Sequence, residues 1–253
     1  MSRFLFAGFS ILLSCFTNPA FAQKQSVDQP VPIDPVRGQA EARKLIDEIL
    51  AQRPDESPAR GTLTIRDSER NERAIPIRME ISQTASNWTH VYQTVPPKDA
   101  AGEKLTIKHT FGQPTQYFVS TPDKPQPVEI SGNQTMVPFA GSDFWVADLG
   151  LEFLHWPKQR AVKKEMRYHK SCVTLESVNP SPSPGGYARV ESWLTIESPH
   201  VPVLAQAYDV SGKLMKVFTP EEVERVDGRY QLRSVEMRNL KAKTRSFIEF
   251  DLR

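Results

Sequence analysis

"YARVESWLTIES", residues 187–198, decides the fold class. Ala188, Val190, Ser192, Leu194 and Ile196 fall on one side of an extended chain, and Arg189, Glu191, Trp193, Thr195 and Glu197 on the other, because successive side chains of a strand point to opposite faces. The stretch reads as a strand with one apolar face turned to a core and one mostly solvated face. The same period recurs upstream in "GTLTIRD" (61–67), "AIPIRMEIS" (74–82), "NWTHVYQTV" (87–95), "EKLTIKHTF" (103–111) and "TQYFVST" (115–121). It recurs around and after the opening stretch in "CVTLESV" (172–178), "PVLAQAYDV" (202–210), "KLMKVFT" (213–219), "RYQLRSVEMRN" (229–239) and "RSFIEFDL" (245–252). Pro, Gly, Asp and Asn separate these runs at roughly the 8–12-residue spacing of all-β folds. The loop "NPSPSPGG" (179–186) lies between strands of one character, so it is a surface excursion within one domain. The expectation is a mainly β (α+β) chain with a single curved antiparallel sheet of about ten or eleven strands. A sheet that long curls or closes, and side chains, helices or a ligand must fill its concave apolar face.

Helical signal is confined to two places. "GQAEARKLIDEILAQ" (38–52) puts Ala42, Leu45, Ile46, Ile49 and Leu50 on one face, and Pro54 ends it. The other is "GSDFWVADLGLEFLHWP" (141–157). There Ser142 suits an N-cap and Asp143 a first turn, giving a helix over 142–149 with Gly150 as terminator. If that helix runs on, Asp148, Glu152 and His155 form one narrow polar stripe at helical spacing. Apolar residues take the remaining circumference, far more than the roughly 100° stripe of an ordinary surface helix. The segment therefore plugs the curved sheet. It does so either wholly as core or as a lid whose inner side lines a lipid cavity. Phe139, Phe144, Trp145, Leu149, Leu151, Phe153 and Trp156 are the candidate cavity and plug residues.

The N-terminus carries Arg3, an apolar run from Phe4 to Phe16, a break at Asn18-Pro19 and the small-x-small triplet Ala20-Phe21-Ala22. That order is a secretory signal peptide over 1–22, cut between Ala22 and Gln23. A flexible, proline-bearing leader (23–37) and one domain (38–253) follow. The alternative is a lipoprotein box at Leu12-Leu13-Ser14-Cys15, which anchors the chain to a membrane through Cys15. No later run approaches the 18 or so apolar residues of a spanning helix. Cys172 is the one cysteine left after cleavage, so no internal disulfide forms, and it reads as a half-buried strand thiol. A net charge of +2 gives no reason to expect nucleic acid.

Chemistry is sparse. His90, His109, His155, His169 and His200 show no metal-ligand spacing, and neither a nucleophile elbow nor a phosphate-cradling glycine loop is present. No catalytic residue, metal or cofactor is expected, and the chain does not read as an enzyme. The basic run "KQRAVKKEMRYHK" (158–170) reads first as a solvated strand pair or loop. Its second reading is attraction to an acidic partner surface or a transient contact with a membrane surface, with Lys158, Arg160, Lys163 and Lys164 meeting anionic head groups.

"GSDFWVADL" (141–149) resembles the Gly-Ser-Asp-Phe…Asp-Leu signature of the outer-membrane lipoprotein-sorting proteins, the LolA-like group. Gly141, Ser142, Asp143, Phe144, Asp148 and Leu149 carry the match; Val146-Ala147 stand where the family often has an aromatic-acid pair. "YDVSGKLMKVF" (208–218), "VDGRYQLRSVEMRN" (226–239) and "TRSFIEFDL" (244–252) are similar to the family's C-terminal block. The resemblance implies a half-open β-barrel with helices over its concave face. It also implies a periplasmic, monomeric carrier of lipoprotein acyl chains or lipid, with an inner-membrane transporter complex as a further partner. The alternative on the same scaffold is a protein-binding sensor or transporter-accessory module.

Overall fold

The computed structural model describes residues 29–51, 58–84, 86–96, 102–110, 113–198, 200–226 and 229–251. The signal peptide, its cleavage site, Cys15 and the first part of the leader lie outside these. The described residues form fourteen strands: β1 Val31–Pro32, β2 Pro58–Arg66, β3 Glu72–Gln83, β4 Asn87–Thr94, β5 Lys104–Thr110, β6 Gln116–Thr121, β7 Lys124–Ile130, β8 Lys158–Arg167, β9 Lys170–Val178, β10 Arg189–Thr195, β11 Pro202–Tyr208, β12 Leu214–Val226, β13 Arg229–Asn239 and β14 Thr244–Asp251. They make one sheet in the order β1-β8-β9-β10-β11-β12-β13-β14-β2-β3-β4-β5-β6-β7. Every ladder is antiparallel, and the seam between the two halves is β14 against β2, with Ile248 opposite Leu63. The sheet is not closed: β1 and β7 are its ends.

The count exceeds the expected ten or eleven because three strands hide their period. β7 contains Pro125 and Pro127, which argue against a strand anywhere except at an edge. β8 is the basic run, whose charges mask the alternation. β1 is two residues of the leader, paired with Lys163 and Lys164 of β8.

The helix α1, Pro35–Leu50, starts three residues before the expected Gly38. Asp34 is the reason: its Oδ1 accepts from the amides of Val36 and Arg37 at 3.1 and 3.0 Å, and Pro35 occupies the first turn, where no amide is needed. Ala42 and Leu45 are buried, and Ile46, Ile49 and Leu50 pack beside them against Val173, Leu175 and Val190 of the sheet. A second concave core gathers Leu63, Ile77, Leu105, Ile107, Tyr117 and Ile248 under Phe139 and Phe144.

The outer face is less solvated than alternation implies. Trp193, on the polar side of the opening stretch, is 2% exposed. It packs with Cys172, Val203, Leu204 and Val217. Its indole N–H donates to Glu165, and Lys163 and Arg167 lie over its ring. Both cations lie on the aromatic plane and pair with Glu165, so charge in the sequence conceals an apolar cluster. Cys172 is fully rather than half buried, and burial pushes its thiol pKa up.

Candidate ligand-binding site

The plug begins with a tight turn. Ala140 and Gly141 have φ of 51° and 69°, and the Ser142 amide donates to the Phe139 carbonyl at 2.9 Å. Positive φ at both central residues defines a type I′ turn, which glycine enters without strain. Ser142 is therefore part of a turn and not an N-cap. Its hydroxyl donates to the Phe139 carbonyl at 2.7 Å and accepts from the Phe144 amide at 3.2 Å. The expected helix over 142–149 contracts to α2, Val146–Leu149. Asp148 closes its first turn by accepting from the Trp145 amide at 2.8 Å.

The longer helix does not form. Leu151 takes a left-handed φ of 51°, and the chain restarts as a 3₁₀ turn over Glu152–His155. Asp148, Glu152 and His155 accordingly face different surroundings instead of sharing a stripe. Gly150 lies between the two turns. A Cβ there would clash with Cε1 on the edge of the Tyr117 ring, whose hydroxyl donates to the Gly150 carbonyl at 3.3 Å. Gly150→Ala is expected to cost about 1–3 kcal/mol by forced overpacking, read as a lower urea midpoint at unchanged slope.

Both aspartates of the plug tie it to the C-terminal half. Asp143 accepts from Thr244 Oγ1 at 2.6 Å and Ser246 Oγ at 2.9 Å, and its amide donates to Ser246 Oγ at 2.9 Å. Asp148 accepts from the Tyr187 hydroxyl at 3.0 Å and faces Lys216 Nζ at 3.7 Å. Lys216 is 2% exposed. Its ammonium donates to the Asp143 carbonyl at 2.7 Å and sits 3.5 Å from the centroid of Trp145, which stacks on Tyr187 at 4.5 Å. A buried cation is thus held by a carboxylate, a carbonyl and aromatic faces, the combination that offsets its desolvation. Burial raises the Asp148 pKa against the pull of Lys216. Burial lowers Lys216 to about 8, opposed by Asp148 and Asp143.

Beside this network is a mostly apolar cavity with about 60 Å³ of free space. Val190, Leu194, Ala205, Ala207 and Phe218 form its sheet side, and Leu151, Phe153, Leu154 and Ile49 its helical side. Lys216, Asp148, Tyr187, His200 and Ser192 supply its polar atoms. Of the expected cavity residues, Leu151 and Phe153 line it. Trp145 is stacked on Tyr187 of its wall. Phe139, Phe144 and Leu149 pack in the second core. Trp156 is buried in the first core and lines, outside this cavity, an open groove of about 500 Å³ with Ile46, Arg43, Asp47, Lys158 and Arg160. Three of the four basic residues are paired: Arg160 with Glu176 at 2.9 Å, Lys163 with Glu165 at 3.0 Å and Lys164 with Glu41 at 2.7 Å. Lys158 is exposed at the start of β8.

At the other end of the plug, His155 Nε2 and His109 Nδ1 meet Thr115 Oγ1 at 3.0 and 3.2 Å. His109 stacks on Trp88 and has His90 at 5.4 Å. Burial pulls His90 and His109 down to about 4, with the neighbouring histidines adding to the effect at His109, and it lowers His155. Among the described residues no group of three His, Cys, Asp or Glu is arranged to hold a metal.

Lys216, Tyr187, Thr244, Ser246 and Ser192 were not among the expected site residues. The available signal was a polar residue in phase with inward apolar ones, as Lys216 is with Phe218 and Ser192 with Val190 and Leu194.

Residues 86–252 match a family described only as uncharacterized protein. No curated protein matches the sequence. Several solved structures are similar to the fold, among them the following three. A putative outer membrane lipoprotein-sorting protein domain from Vibrio parahaemolyticus is 16% identical, with 86% of this chain and 92% of that one covered, at a TM-score of 0.67. A DUF1329 family protein from Desulfovibrio piger is 16% identical, with 87% and 92% covered, at 0.64. A LolA superfamily protein from Nitrosomonas europaea is 19% identical, with 83% and 91% covered, at 0.57.

Proposed function

The chain belongs to this family of uncharacterized proteins and has the LolA-like fold, and from that premise we propose that it is a periplasmic carrier in outer-membrane lipoprotein sorting. It binds the acyl chains of lipoprotein or lipid in the cavity and performs no catalysis. The observation that carries the reading is a mostly apolar cavity roofed by a plug with left-handed residues at its start, Ala140 and Gly141, and within it, Leu151. Each buried CH₂ of an acyl chain contributes about 0.8 kcal/mol. The present space of about 60 Å³ is less than the roughly 150 Å³ of an engineered apolar cavity that holds benzene. Loading therefore requires Leu151, Phe153 and Leu154 to move off the sheet. Phe139, Phe144, Trp145, Leu149 and Trp156 form the wider apolar lining of that opened state. Lys158, Arg160, Lys163 and Lys164 meet anionic head groups during transient contact with a membrane.

Native mass spectrometry of the protein recovered from the periplasm tests this. Lipid or acylated peptide is expected to remain bound, and Leu151→Asp with Phe153→Asp is expected to abolish it. Bare protein that also ignores added triacylated peptide would falsify the carrier reading. The groove between α1 and β8, with Trp156 among its polar neighbours, favours a second reading, a protein-binding accessory module. That reading expects bare protein which retains an unacylated peptide.

A further inference from the structure

We propose that Ser192 is a hydrogen-bonding subsite in the acyl cavity, recognising the uncharged ester or amide carbonyl of the bound chain. The inference rests on the carrier reading above and specifies its ligand chemistry. Ser192 is 2% exposed and lines the cavity from β10 between Val190 and Leu194. Its hydroxyl oxygen is buried and has no hydrogen-bond partner among the described residues. Buried polar side chains nearly always have a partner, and one without is either served by water or kept for a ligand.

The other polar groups of the wall are already engaged. Lys216 donates to the Asp143 carbonyl and faces Asp148 and Trp145, and the Tyr187 hydroxyl donates to Asp148. His200 Nδ1 and Nε2 lie 2.8 Å from the Thr195 carbonyl and Glu48. These groups leave no unpaired cation for a free carboxylate, so an anionic chain end gains nothing to offset its desolvation. The hydroxyl of Ser192 has its donor free and its neighbours apolar. That environment suits one neutral acceptor carried on a hydrocarbon, and an acyl carbonyl is such a group.

The test compares wild type with Ser192→Ala in binding methyl palmitate and heptadecane, an ester and a hydrocarbon with no acceptor, through displacement of an apolar fluorescent dye from the full mature protein. Wild type is expected to hold the ester about 3- to 10-fold more tightly than Ser192→Ala does, the worth of one neutral hydrogen bond. Ser192→Ala is expected to bind heptadecane at least as well as wild type, at a Tm no lower than wild type. Equal ester affinities in the two proteins, or a loss of the same size for heptadecane, overturn the subsite while leaving the carrier reading intact. If neither compound displaces the dye from either protein, the carrier reading and the subsite fall together.

Discussion

Lys216→Ala is expected to lower the unfolding free energy by about 3–5 kcal/mol, the cost of stripping one partner from a buried ion pair. The substitution leaves the Asp148 carboxylate buried without its countercharge, the Asp143 carbonyl without its donor, and the Trp145 face without its cation. For a domain whose whole stability is about 5–15 kcal/mol, this is a large share. Urea denaturation followed by tryptophan fluorescence measures it. The double variant Lys216→Met with Asp148→Asn gives the sharper result. The introduced asparagine retains an acceptor for the Trp145 amide and the Tyr187 hydroxyl, and the introduced methionine retains most of the lysine's volume. Most of the loss is therefore recovered, and the two changes are strongly non-additive. Additive losses, or a Lys216→Ala protein within about 0.5 kcal/mol of wild type, would show that the network does not hold the plug.

Acidification from pH 7 to pH 4 is expected to remove about 3 kcal/mol of stability through His90 and His109. Both are neutral in the fold and pulled down to about 4 from an ordinary 6.5, so the unfolded chain binds more protons between those values. Their contribution is complete above pH 6.5, is lost progressively toward pH 4, and changes little below. One such shift is worth on the order of 3 kcal/mol. The two rings are neighbours, and His109 is partly exposed, so the second adds less than a full share. Buried carboxyls with raised pKa, Glu152 and Glu103, act oppositely because the fold takes up their protons first. His90→Leu removes a ring whose Nε2 is buried without a partner among the described residues, and it should flatten the urea-midpoint profile between pH 6.5 and 4. A profile unchanged by that substitution would remove the histidines as its cause.

The parts of the fold legible in sequence were those governed by local periodicity. Eleven strands announce themselves by alternation, and α1 by its apolar face. β7 and β8 do not, because proline and charge mask a period that only edge position and ion pairing explain. The plug was legible as a segment and misread in conformation. A left-handed Leu151 carries no sequence mark, and composition around 141–157 fits a continuous helix better than the two short turns that form. The motif aspartates were visible, but their partners Lys216, Thr244 and Ser246 lie far along the chain. Periodicity states which side a residue faces, not whom it meets across the concavity.

The two prolines of β7 have a consequence beyond strand recognition. β7 bonds to β6 on one side and ends the sheet on the other. Its side chains are exposed along nearly its whole length. An unclosed sheet ordinarily offers its terminal row as a template for another copy. Pro125 and Pro127 have no amide hydrogen to offer, and a proline is tolerated in a strand where its nitrogen faces away from the ladder. An incoming strand would meet two missing donors in a short stretch and little apolar surface to compensate. The sheet can therefore stay unclosed at this edge without seeding fibrils of itself, a safeguard that closing the barrel would otherwise have to provide.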